Sequence, residues 1–172
     1  MTLVQLGLDW MMLSCVVDIL PDSLKLRVHL EGEGIVGGED VELSDYTYQG
    51  SLNRKSHSFC GGSIIGEQHV ITAAHCVTDK VGGLLKKPIK LVAGVTDLKD
   101  KDAETRIEID VDVVYISRKY DPLTKKRTAG DIAVLKLLKS LNLDGNPNLS
   151  ILQLGDPSES YADETAIITG FG

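Results

Sequence analysis

Between Tyr46 and Leu138 the apolar residues fall in short runs broken by Gly, Asp, Asn and Lys. The clearest run alternates Ile107, Ile109, Val111 and Val113 with Glu108, Asp110 and Asp112, the two-residue period of a strand with one wet face. The same pattern predicts strands over Tyr46–Leu52, Gly62–Ile65, Val70–Ala73, Ile89–Ala93, Thr105–Ile116 and Asp131–Leu138. Short strands separated by turn signals point to an antiparallel barrel or sandwich. No long helical segments lie between them, which disfavours a parallel α/β fold.

The N-terminal pattern differs. Residues 1–20 are mostly apolar, and Leu3, Leu6, Trp10, Leu13 and Val17 recur at helical spacing. Asp9 and Asp18 interrupt the apolar run and argue against a membrane span. No basic residue precedes Lys25 and no clear small-residue cleavage site follows, so the segment is an imperfect secretion signal. Residues 1–34 are therefore read as a signal or pro-segment or a mis-assigned start, with the glycine-punctuated stretch 21–34 as a linker.

Composition narrows the partners. A chain of 172 residues holds one ordinary domain or slightly more. Its 18 basic and 25 acidic residues give a net charge of -7, which repels phosphate backbones and anionic lipid, so neither nucleic acid nor membrane is an expected partner. The three cysteines are Cys15, Cys60 and Cys76. On spacing alone the last two are either buried free thiols or a bridge, and Cys15 is left over.

Two segments carry candidate chemistry: Ile71-Thr72-Ala73-Ala74-His75-Cys76 and Gly130-Asp131-Ile132-Ala133-Val134-Leu135. Acyl transfer needs an imidazole that takes a proton from a nucleophile, and a carboxylate that fixes the ring's tautomer. Taken singly, His75 is a histidine beside a cysteine and Asp131 a turn residue before a strand.

Together these segments resemble the chymotrypsin/trypsin-like serine peptidase family. Ile35-Val36-Gly37-Gly38 resembles the mature N-terminus, and Cys60-Gly61-Gly62-Ser63-Ile64-Ile65 the strand carrying the first cysteine of the histidine-loop bridge. Thr72-Ala73-Ala74-His75-Cys76 resembles the histidine block, and Asp131-Ile132-Ala133-Val134-Leu135-Lys136-Leu137 the aspartate block. Thr169-Gly170-Phe171-Gly172 resembles the opening strand of a second barrel. The resemblance covers residues 35–172 and implies an all-β, trypsin-like antiparallel barrel. The first barrel would span 35–141, and 142–172 the inter-barrel connection and the first strand of an uncompleted second barrel. It implies His75 as general base, Asp131 as its orienting partner, a Cys60–Cys76 disulfide, a secreted chain, no cofactor, and protein or peptide substrates for the full-length parent. A bridge closing a loop of this size constrains the unfolded chain by roughly 3 kcal/mol, and Cys15 is expected to be removed or unpaired.

The departures from the family bear on activity. The family's Gly-Asp-Ser-Gly-Gly block follows the aspartate by roughly a hundred residues, whereas 41 residues follow Asp131 and none contains it. The expectation is a partial serine endopeptidase that does not cleave peptides as it stands, with a non-catalytic binding module or decoy as the alternative. Ser150, Ser158 and Ser160 read as polar linker residues. Gly34 before Ile35 departs from the basic residue that family processing requires.

The weaker signals carry less. His29, His57 and His69 have no metal-pair spacing and read as structural or exposed. The acidic loop Asp97–Glu104 reads as a solvated turn more readily than as a calcium loop, because lysines are interspersed in it. Lys125-Lys126-Arg127 reads as an exposed basic loop, and Asn148-Leu149-Ser150 as a glycosylation sequon if the chain is secreted.

Overall fold

The computed structural model describes residues 40–55, 57–79, 81–86, 88–123, 130–162 and 166–171, and the backbone course of 16–19. Among the described residues eight strands follow in chain order: β1 (Val16–Ile19), β2 (Gln49–Arg54), β3 (His57–Gly66), β4 (His69–Thr72), β5 (Lys90–Ala93), β6 (Ile107–Ile116), β7 (Ala133–Leu137) and β8 (Ala166–Thr169). Six of them close into a barrel in the order β2-β3-β4-β7-β6-β5, with every neighbouring pair antiparallel. The chain is therefore all-β, and of barrel and sandwich it adopts the closed barrel.

The alternation seen in the sequence fills the inside. Ala133, Leu135 and Leu137 of β7 are buried, as are Leu52, Ile64, Val70 and Leu91 from the strands around them. Each such large side chain contributes about 1.5–3 kcal/mol by leaving water. On β6 the inward set is Ile107, Ile109 and Val111, with Glu108, Asp110 and Asp112 exposed. A register shift between Val111 and Val113 then reverses the phase. Beyond this bulge Val114 and Ile116 pack on the core and Tyr115 is exposed.

β2 is buried on both faces. Its polar residues Gln49, Ser51 and Asn53 are covered, so their polar groups need partners within the protein. Ser51 Oγ donates to Asn53 Oδ1 at 2.7 Å and lies 2.8 Å from Ser58 Oγ, which donates to it in turn. Thr169 Oγ1 of β8 donates to Gln49 Oε1 at 2.8 Å. The segment after the barrel runs back along it: Leu149 joins the core, Ser150 N–H donates to Thr47 O and Leu152 N–H to Ile64 O.

The N-terminal helical spacing does not extend to Val17. Residues 16–19 are extended and pair antiparallel with β8, Val16 opposite Thr169 and Ile19 opposite Ala166. The β8 segment thus has a strand partner in a two-stranded sheet. Residues 1–15, Ile35 with the rest of the expected mature N-terminus, His29, Cys15 and the Lys125-Lys126-Arg127 run lie outside the described residues.

Candidate active site

β4 ends at Thr72, Ala73 is extended, and residues Ala74–Cys76 form a single 3₁₀ turn. Cys76 N–H donates to Ala73 O at 3.2 Å and Val77 N–H to Ala74 O at 3.1 Å. Ala74 and Cys76 point into the core, so the turn leaves the residue between them facing out, and the His75 side chain is 43% exposed. Two ties hold the turn to β3. A disulfide joins Cys76 to Cys60, and Thr72 Oγ1 donates to Gly61 O at 2.8 Å. From the far side Thr78 Oγ1 donates to Ala74 O at 3.0 Å.

Asp131 is placed by a separate device. Gly130 has φ +75, and a Cβ there would lie 2.7 Å from the carbonyl carbon of Lys119, so both the left-handed backbone and the close approach favour glycine. Ile132 N–H donates to Gly130 O at 2.7 Å, and Ser117 N–H to Ile132 O at 3.0 Å. These bonds dock the residues before β7 against the end of β6. Asp131 precedes the strand, which begins at Ala133.

β4 pairs with β7, Thr72 opposite Ala133, and this register brings the two segments together. His75 Nδ1 lies 2.7 Å from Asp131 Oδ2, and His75 backbone N–H donates to Asp131 Oδ1 at 2.8 Å. Burial, with 17% of the side chain exposed, would push the carboxyl of Asp131 up. The hydrogen bonds from the His75 ring and amide, the charge on His75 and the Ala74 amide outweigh it and hold the carboxyl below its ordinary value. An ionised carboxylate only accepts, so Nδ1 carries a ring proton, and in the neutral ring the lone pair is on Nε2. Such a ring can take a proton from a hydroxyl or thiol, and the carboxylate stabilises the imidazolium that forms.

Beside the ring lies a hollow of about 260 Å³ lined by Arg54, Phe59, Cys60, His75, Cys76, Thr78 and Leu85. The Arg54 guanidinium sits over the Phe59 ring, 5.3 Å from its centroid. Sequence reasoning misses both residues, since neither belongs to a motif and only the β2–β3 hairpin makes them neighbours. The one group with metal-ligand spacing among the described residues is Cys60, His75 and Cys76, and its two sulfurs are bonded to each other.

The remaining positions take other places. Ser150 Oγ accepts from Thr47 Oγ1 at 2.6 Å, Ser158 Oγ donates to Asp156 Oδ1 at 2.7 Å, and Ser160 is exposed. His57 and His69 are exposed on β3 and β4. Asn148 is half-buried beside Leu149. In the loop Asp97–Glu104, Asp97 and Asp100 accept backbone amides of their own loop. A cation from the chain itself fills its inner side: the Arg106 guanidinium donates to Leu98 O at 3.3 Å and Asp100 O at 3.2 Å, and pairs with Glu108.

A closed six-stranded antiparallel barrel with a histidine–aspartate pair at the ends of two adjoining strands, and a disulfide beside the histidine, defines a chymotrypsin-like serine peptidase barrel. The chain belongs to the trypsin family, whose model, described as Trypsin, matches residues 35–172. It is similar to coagulation factor IX of Cavia porcellus, 34% identical over 110 residues that make up 64% of this chain and 36% of that protein. Trypsin-1 of Astacus astacus is 32% identical over 146 residues, 80% of this chain and 56% of that protein. Among solved structures, human heparin binding protein matches with a TM-score of 0.60 at 22% identity, over 73% of this chain and 51% of that one. That last likeness concerns the fold alone. The chain spans between 36% and 56% of the length of these two relatives.

Proposed function

We propose that these 172 residues are the base-bearing half of a secreted serine endopeptidase, with His75 as general base and Asp131 as its orienting carboxylate. The observation that carries this reading is the paired contact of Asp131 with the His75 ring at 2.7 Å and the His75 amide at 2.8 Å. One carboxylate thereby sets both the tautomer and the position of the ring. Residues 35–141 form the first barrel in this reading, and 142–172 the connection and the opening strand of a second. Secretion is supported by the Cys60–Cys76 bridge, since such bonds persist in oxidising compartments, and Asn148 is then a glycosylation acceptor. Substrates are proteins or peptides.

No serine here sits in a Gly-Asp-Ser-Gly-Gly block, so the nucleophile and oxyanion donors have to come from outside these residues. In a related mechanism, loss of the serine alone costs about 10⁶ in turnover, and the residual 10³–10⁴ over water needs an oxyanion hole. The 172-residue polypeptide is therefore expected to leave peptide esters at the buffer rate and to show no mass increase with a serine-directed phosphonate. Stoichiometric labelling of any serine would sink this reading. A binding role without catalysis is the second reading, favoured by the same missing block. A polyanion such as heparin is a poor ligand for it, because the chain carries a net charge of -7.

A further inference from the structure

We propose that the Cys60–Cys76 bridge is a reducible site, opened by a dithiol, and that opening it makes Cys76 a thiolate nucleophile served by His75. The observation is the direction of the free ring nitrogen. Asp131 occupies Nδ1, and Nε2 lies 3.6 Å from Cys76 Sγ. The relation of base to orienting carboxylate is therefore already in place for a sulfur, with no residue from elsewhere. Neighbouring imidazolium favours thiolate over thiol, and thiolate is the reactive form.

Access favours one direction of attack. Cys76 is 3% exposed, whereas Cys60 is half-buried, and both cysteines line the hollow that holds Arg54 and Phe59. An incoming thiolate approaches Cys60 Sγ from this hollow, past the guanidinium of Arg54. A bond forms between its sulfur and Cys60, the Cys60–Cys76 bond breaks, and the electron pair goes to Cys76 Sγ. The proton shed by the attacking thiol goes to His75 Nε2, and the imidazolium so formed holds the Cys76 thiolate or passes that proton to it. A sulfur whose thiolate is stabilised leaves faster. The second thiol of the reductant next displaces Cys60, so both cysteines end reduced and the dithiol ends as its disulfide. The two electrons come from the reductant.

Among the described residues, the charged and titratable groups around Cys76 include His75, Asp131 behind it, Arg54 across the hollow, and Tyr120, reached through its hydroxyl contact with Thr78 at 3.3 Å. Arg54 supplies positive charge toward a Cys76 thiolate, and so does the His75 ring once it holds a second proton. Asp131, on the far side of the ring, opposes a second negative charge directly and favours it through the imidazolium that it stabilises.

The test uses the full chain and does not read peptidase activity, so its failure is separable from failure of the endopeptidase reading. The protein is treated with dithiothreitol without denaturant, its fold is followed by circular dichroism, and iodoacetamide labelling is read cysteine by cysteine by peptide mapping. Cys76 is expected to be alkylated at pH 6 about fivefold faster than the same cysteine in the urea-unfolded chain. The larger thiolate fraction is partly offset by the lower nucleophilicity of a lower-pKa thiol. His75→Ala should abolish this advantage and Asp131→Asn should reduce it. Cys60→Ser frees Cys76 without any reductant and should show the same fast alkylation, which guards against a His75 variant that fails to fold. The proposal is overturned if Cys76 reacts at the unfolded rate in reduced wild type and in Cys60→Ser. It is equally overturned if the bridge opens only as the fold is lost.

Discussion

The carboxylate of Asp131 is pulled in two directions, by burial toward the neutral form and by the N–H groups of His75 and Ala74 toward the ionised form, and the ionised form wins. A carboxyl held below its ordinary value stabilises the fold fully above the pH at which the unfolded aspartate titrates. That contribution is lost as pH falls through the lowered, folded value. Asp131→Asn should therefore destabilise the protein at pH 7 by about 1–3 kcal/mol, and should flatten the decline of stability below pH 4, where wild type loses this contribution and the variant has none to lose. Urea unfolding at pH 7 and at pH 3 checks it, and parallel declines in the two proteins would contradict it. His75, Asp131, Cys60 and Cys76 were legible in the sequence because their neighbours form family blocks. Gly130 was read only as the residue before the aspartate, since its φ of +75 leaves no periodic trace. Arg54 and Phe59 were not legible at all, because a cation resting on a ring across a hairpin depends on strand register.

The strands were readable because one face of each meets an apolar interior. The expected segments Gly62–Ile65, Val70–Ala73 and Ile89–Ala93 each overlap an observed strand, β3, β4 and β5. Ends were less readable. β3 begins at His57, before the expected Gly62, because its pairing with β2 continues through residues of either polarity. The adjacent Val113 and Val114 break the alternation where β6 has its bulge, so the phase change is written in the sequence. The 97–106 loop shows the opposite case. Its acidic residues drew attention, while the residue that organises it, Arg106, counted only as the edge of a strand run. The Arg106 side chain is 7% exposed and donates to two loop carbonyls and to Glu108. Arg106→Met keeps much of the volume and removes every one of these bonds. It is expected to cost about 1–3 kcal/mol and to raise amide exchange across residues 98–105 more than in β7. Unchanged exchange in that loop would show that Arg106 merely covers it.

In the molecule as a whole, the barrel aligns the ends of β4 and β7 so that a histidine and an aspartate 56 positions apart share a hydrogen bond. The disulfide and the Thr72–Gly61 bond then fix the histidine turn to β3. Beyond the barrel, β8 is attached by Thr169 to Gln49 and by its ladder with β1. Pairing with β1 could not be read from an N-terminal segment whose apolar residues suggested helical spacing. The proposed division of labour places base and orienting carboxylate in these residues and the nucleophile outside them. Its most direct test is peptide-ester turnover by this chain joined, at Gly172, to the nucleophile-bearing half of a trypsin, measured with and without His75→Ala in folded, secreted protein. Turnover is expected in the fusion and should fall at least 10⁴-fold in the His75→Ala version. A fusion whose turnover stays within tenfold after His75→Ala would contradict the assignment of His75 as the base.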